Sequence, residues 1–268
     1  MATSPTTHVA AASAVRSRTG SLAVGGPPPS DSEARVVVRL LDGFDLSCDG
    51  QSVSVPLASQ RLVAFLALHD RPLLRLFVAG SLWLDVNEER SCANLRSTLW
   101  RLRQPGHPVV EATATHIRLG RTVIVDVHEL VRAARRVLDS SDGVAEARVD
   151  EQKLEGDLLP DWYDEWVEPE REWLRQLRLH AVEAASERAL SENRPAHAVD
   201  LALAALRREP LRESLHVLVI RGHLARGNRS DAIRHHRGHV VRMASDLGLT
   251  PSPDIVRLLE DADAAPVR

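Results

Sequence analysis

Between Glu88 and Arg103 the chain reads EERSCANLRSTLWRLR, with two leading acids, four arginines and no acid from Arg90 onward. At about 100° per residue, Cys92, Leu95, Leu99 and Leu102 fall on one stripe of a helix. Arg90, Asn94, Ser97 and Arg101 fall on the opposite one. That polar stripe has the chemistry of base-edge recognition: arginine pairs bidentately with guanine, asparagine with adenine, and serine is permissive. Arg96 and Arg103, nearer the apolar boundary, suit backbone phosphates, which position a protein without specifying sequence. Trp100 flanks the polar stripe and is grouped with these backbone contacts. A basic helix face is commonly just a solvated face, so the segments on either side must decide what this one does.

Those segments have a recognisable order. VVVRLL from Val36, FDLS after Gly43, and SVSV after Asp49-Gly50 read as three short strands separated by turn signals. Leu57, Leu62, Phe65, Leu66 and His69 then keep helical spacing over 58–69 until Pro72. A second helix fits 73–83, through Leu76, Phe77, Gly80 and Trp83. Asn87 can cap the third, with Glu88 and Glu89 at the positive end of its dipole. QPGHP ends it. VVEA, the turn TATH, IRLG and TVIVDV follow as a hairpin with a further strand. Strands, three helices and a hairpin make a winged helix-turn-helix with an N-terminal sheet, a fold that lays its third helix in the major groove. The hairpin then offers Thr115, His116 and Arg118 to the DNA backbone. Arg61, near the start of the first helix, is left out of the expected contacts.

From residue 131 onward the chain is helical. Helices are expected over about 169–192, 195–208, 211–226 and 229–246, with another from about 252. HAVDLALAALRREP from His197 and DAIRHHRGHVVRMA from Asp231 align at an offset of 34, the tetratricopeptide period. The fold class is therefore mainly α with a small β part: an N-terminal winged helix over 35–130 and a tetratricopeptide-like helical domain over 131–268. Residues 1–34, rich in Ala, Ser, Thr, Gly and Pro, read as a disordered tail.

Other polar clusters are weaker candidates. His235 and His239 stand at i, i+4 in HHRGH but lack an acidic ligand nearby, and read as a polar helix face. The carboxylates Asp157, Asp161, Asp164 and Glu165 read as a solvated acidic stretch. Trp162, Trp166 and Trp173, at spacings of four and seven, read as one helical stripe that packs in the core or anchors a partner. The chain has no glycine-rich phosphate loop and no metal-ligand spacing, so no catalytic residue, metal or cofactor is expected and the chain is not read as an enzyme. Cys48 and Cys92 give no disulfide framework, and no apolar run approaches the ~18 residues of a membrane span. A net charge of −3 confines any nucleic-acid face to a local patch. Together these imply a cytoplasmic, nucleoid-associated protein with no membrane partner.

The runs VRLLDGFDLSCDGQSVSVPLASQRLVAFLAL, RPLLRLFVAGSLW and LRSTLWRLR resemble the DNA-binding half of the actinobacterial antibiotic regulatory proteins, itself similar to the OmpR-type winged helix. GDLLPDWYDEWVEPEREWLRQLRLHAVEAASERAL and EPLRESLHVLVIRGHLARGNRSDAIRHHRGHVVRMASDLGLTPSPDIVRLL resemble the bacterial transcriptional activation domain that follows it in that family. The resemblance spans about 35–262 and implies a small, stand-alone activator. The resemblance implies that such a protein binds direct repeats of double-stranded DNA near a promoter, pairs with a second copy there and recruits RNA polymerase, at a secondary-metabolite gene cluster. Trp100 replaces the small polar residue usual in the family before RLR, so the family's target sequence does not transfer. The alternative is a tetratricopeptide-like interaction module whose winged helix no longer binds DNA.

Overall fold

A computed structural model describes residues 35–103, 108–139 and 156–264; the tail expected over 1–34 lies outside them. Val36–Arg39 (β1), Asp45–Cys48 (β2) and Gln51–Ser52 (β3) form an antiparallel meander. Alternation puts Val36 and Val38 into the core. Leu57–His69 (α1), Arg75–Leu82 (α2) and Glu88–Leu102 (α3) follow, close to the spans expected from their periodicity. Leu62, Val63, Phe65 and Leu66 of α1 are buried in the core.

Two pairings were not expected. Leu73–Leu74 (β4) is a strand that pairs with His116–Leu119 (β6), which also pairs with Val110–Ala112 (β5). Ile124–Val125 (β7) runs parallel to β1 and completes a sheet of order β3-β2-β1-β7. Both join segments tens of residues apart, beyond the reach of a local hydrophobic period.

Asp126–Asp139 (α4) starts directly from β7, and its first carboxylate closes the domain. Asp126 accepts N–H donors from Leu40 at 3.0 Å, Leu41 at 3.0 Å and Val127 at 2.7 Å. Burial raises its pKa, and these donors oppose the shift. Val167–Ser191 (α5), Pro195–Leu206 (α6), Glu213–Ala225 (α7), Arg229–Leu247 (α8) and Pro253–Ala264 (α9) form successive antiparallel pairs. The starts of α6 and α8 reproduce the 34-residue offset, at Pro195 and Arg229. Gly222 permits the close packing: a Cβ there would lie 2.4 Å from Val199 Cγ2.

One apolar core runs without a break from β1 and α1 into α4 and α5, taking in Leu130, Leu158, Leu159 and Leu174. Smaller clusters hold α5–α7 together around Leu215 and Val219, and α7–α9 around Ile220 and Ile255.

Candidate nucleic-acid interface

α3 is capped as expected: Asn87 Oδ1 accepts the Arg90 N–H at 3.0 Å, and Glu88 and Glu89 occupy the first turn. Leu95, Leu99 and Leu102 face the core, and Cys92 packs against it. The buried seam also includes Ser91 and Thr98, which the periodicity of apolar residues does not identify. Their hydroxyls are satisfied within the helix: Ser91 Oγ donates to Glu88 O at 2.9 Å, and Thr98 Oγ1 to Asn94 O at 2.8 Å. That local bonding removes the cost of burying them.

With Ser91 and Thr98 inside, the helix is rolled relative to the expected stripes. Arg90, Ser97 and Arg101 are exposed, whereas Asn94 is only half-buried at the margin. Arg96, Trp100 and Arg103, expected near the apolar boundary, stand fully outside. Trp100 is 74% exposed, more than any other tryptophan described. The outer face is therefore centred on Ser97 and Trp100, with arginines on both flanks. Among the described residues, the side chains of Arg90, Arg96, Arg101 and Arg103 have no hydrogen-bond or ion-pair partner.

The hairpin tip is exposed. Thr115 Oγ1 and His116 Nδ1 are hydrogen-bonded at 2.9 Å and both residues are open to solvent. The tip is tied to α2: Arg75 N donates to Thr115 O at 2.9 Å, and Arg75 Nη1 to Thr113 O at 3.1 Å. Arg118 is spent internally. It faces Glu111 across the β5–β6 ladder, with Nε donating to Oε2 at 2.9 Å. The pairing also holds the Glu111 carboxyl below the usual range. Arg61 is likewise committed, as an ion pair with Asp164.

The acidic tryptophan stretch is only in part the solvated surface that its composition suggests: Asp157, Asp161 and Glu165 are exposed, whereas Asp164 is half-buried. Gly156 to Trp166 is an irregular strap that binds the helical half to the winged helix. Leu41 and Leu158 form a β-bridge, Asp42 N donates to Asp157 O at 2.7 Å, and Leu159 N to Leu40 O at 2.9 Å. Gly156 has φ +99°, and a Cβ there would meet Leu41 Cβ at 2.8 Å. Trp162 and Trp166 precede α5 instead of forming a helical stripe with Trp173. Trp162 stacks on Phe44 with centroids 6.0 Å apart, and Trp166 meets Phe65 edge-on at 5.1 Å. Arg171 seals the strap, donating to Leu158 O at 2.8 Å and Trp162 O at 2.7 Å.

The histidines expected on a polar helix face are packed between α7 and α8. His239 stacks on His216 with centroids 3.7 Å apart, and His216 Nδ1 meets His235 Nε2 at 2.9 Å. Burial pushes the pKa of His235 and of His239 down to about 4. Among the described residues, no group of His, Cys, Asp and Glu could hold a metal. No helix among them is long and apolar enough to cross a membrane.

The comparisons agree with this architecture. A family model described as the bacterial transcriptional activator domain matches residues 124–261. Among solved structures the chain is similar to Mycobacterium tuberculosis EmbR, solved in complex with a low-affinity phosphopeptide. The identity is 22% and the TM-score 0.67, over 88% of this chain and 67% of that one. At that identity the likeness speaks for the fold: a winged domain followed by tetratricopeptide-like helices. No curated protein matches the chain.

Proposed function

Because the chain belongs to the bacterial transcriptional activator domain family, and is thus a transcriptional regulator, we propose that it activates promoters by placing α3 in the major groove. The observation that carries this reading is the state of the arginines. Arg61, Arg118 and Arg171 are consumed by carboxylates and carbonyls, whereas Arg90, Arg96 and Arg101 of α3 and Arg103 at its C-terminal cap have no side-chain partner among the described residues. Guanidinium groups left unpaired on one exposed face favour a polyanionic partner.

In this reading residues 35–130 form the DNA-binding half. Ser97 and Arg101 meet base edges, Arg101 bidentately. Arg96 and Arg103 take phosphates on one side and Arg90 on the other. Asn94, at the margin, reaches a base only at the groove edge. Trp100 covers a sugar or a thymine methyl between them. Thr115 and His116 give the wing its hydroxyl and imidazole contacts to the flanking backbone, with Arg118 holding the hairpin in shape. Family membership supports the remaining steps: binding of direct repeats by two copies, and recruitment of RNA polymerase through the helical half. A secondary-metabolite gene cluster is the proposed target, and the cytoplasmic nucleoid the site of action.

Fluorescence anisotropy of the chain with a duplex from its own upstream region, against a shuffled duplex of equal length, tests the reading. A preference of about 10³-fold or more is expected at physiological salt. Equal affinity for both duplexes would instead favour a protein-interaction module that has lost DNA recognition.

A further inference from the structure

Between α5 and α6, beside the Gly156–Leu159 strap, lies a cleft of about 750 Å³. That is within the ~300–1,000 Å³ range of small-molecule sites. Leu174, Leu179 and Leu201 make its inner wall apolar. Its rim is cationic. Two of the arginines that line it are already committed, Arg171 to strap carbonyls and Arg175 between Glu172 and Glu209. Two others, Arg178 and Arg208, share a single carboxylate, that of Asp157, and Arg178 Nη2 also donates to Gly156 O at 2.8 Å. Arg208 Nη1 contacts Asp157 at 2.7 Å, and Arg178 Nη1 stands 3.8 Å from the same group. Arg207 is exposed, with no side-chain partner among the described residues. Arg178 Nε is buried and unpartnered. The cleft thus combines an apolar interior with positive charge that the protein neutralises only in part, and a buried donor without an acceptor is costly.

We propose that this cleft binds a small amphipathic anion, an apolar body ending in a carboxylate or a phosphate. The apolar body lies along Leu174, Leu179 and Leu201, and the anionic end bridges Arg178, Arg207 and Arg208. Such a ligand competes with Asp157 for Arg178 and Arg208. Asp157 also fastens the strap to the winged helix, since its N–H donates to Asp42 Oδ1 at 2.8 Å. Occupancy is therefore felt at the joint between the two halves, which gives the regulator a place to sense a metabolite.

Calorimetric titration of the full chain with octanoate, octyl phosphate, octanol and inorganic phosphate tests the site. Saturable one-to-one binding of at least one octyl anion is expected, with octanol and inorganic phosphate each at least about tenfold weaker. The tighter of the two octyl anions identifies the head group. Arg207→Gln with Arg208→Gln should weaken the anion about tenfold or more. Ala204→Phe, which fills the cleft and keeps every arginine, should abolish binding with the melting temperature retained. Absence of saturable octyl-anion binding up to millimolar concentration overturns the proposal. So does octanol binding as tightly as the anions, or undiminished affinity in Ala204→Phe. Inorganic phosphate matching octyl phosphate would reduce the site to an adventitious anion contact and overturn it as well.

Discussion

The outer face of α3 and the strap from Gly156 to Trp166, with Arg171 that seals it, are built from similar residues, tryptophan among charged groups, yet they do opposite work. In the strap, Trp162 stacks on Phe44 and Trp166 meets Phe65 edge-on, and Arg171 of α5 donates to three of its backbone carbonyls. On α3, Trp100 stands in solvent, and four arginines of the helix and its C-terminal cap lack a side-chain partner among the described residues. A residue type signals function only when the fold leaves its bonding capacity unspent.

The contrast can be broken by exchanging probes between the two regions. Trp166→Ala should destabilise the fold by about 3–5 kcal/mol, as a large aromatic lost from a core contact does. Trp100→Ala should leave the denaturation midpoint within about 0.5 kcal/mol and act on DNA affinity instead; comparable losses of stability would erase the distinction. A step smaller, Arg171→Ala leaves the carbonyls of Leu158, Leu159 and Trp162 short of a donor and should cost about 2–3 kcal/mol by urea unfolding. Arg101→Ala should cost about 1–3 kcal/mol of DNA affinity, relax selectivity at one base, and leave unfolding unchanged.

Acid provides a milder probe of the helical half. The His235 and His239 pKa values fall from 6.5 to about 4 on folding. Protonation therefore favours the unfolded chain, and stability should decline as pH falls from about 6.5 through about 4. Arg242 beside the stack deepens the shift, and Glu213 opposes it at His239. Unfolding curves of His239→Phe over that window should show a shallower decline, and an identical slope would place the sensitivity elsewhere. Smallest of all, Arg118→Ala removes a partly exposed pair with Glu111. It should shift stability by no more than about 1 kcal/mol and leave the salt dependence of DNA binding unaltered.

Much of this architecture is legible without coordinates because its signals are local. α3 is delimited by an Asn cap and a proline break, and the later helices repeat at the tetratricopeptide offset. Three features resist such reading, each for a different reason. β7 joins β1 in parallel across more than 80 residues of chain, and β4 spans just two residues. Ser91 and Thr98 turn inward because their hydroxyls bond within their own helix, which rolls its outer face. The carboxylate of Asp164 is taken by an arginine about a hundred positions earlier, a pairing no spacing rule contains.

The salt dependence of DNA affinity tests the central claim most directly. For the wild-type chain on its own upstream duplex, log K should fall linearly with log salt concentration, with a slope of about −0.9 per phosphate contact. Arg96→Ala combined with Arg103→Ala should make that slope shallower by nearly two, while Arg61→Ala, which breaks only the pair with Asp164, should leave it as it was. An unchanged slope in the α3 variant, or an equal loss in Arg61→Ala, would contradict the assignment of the unpaired α3 arginines to DNA.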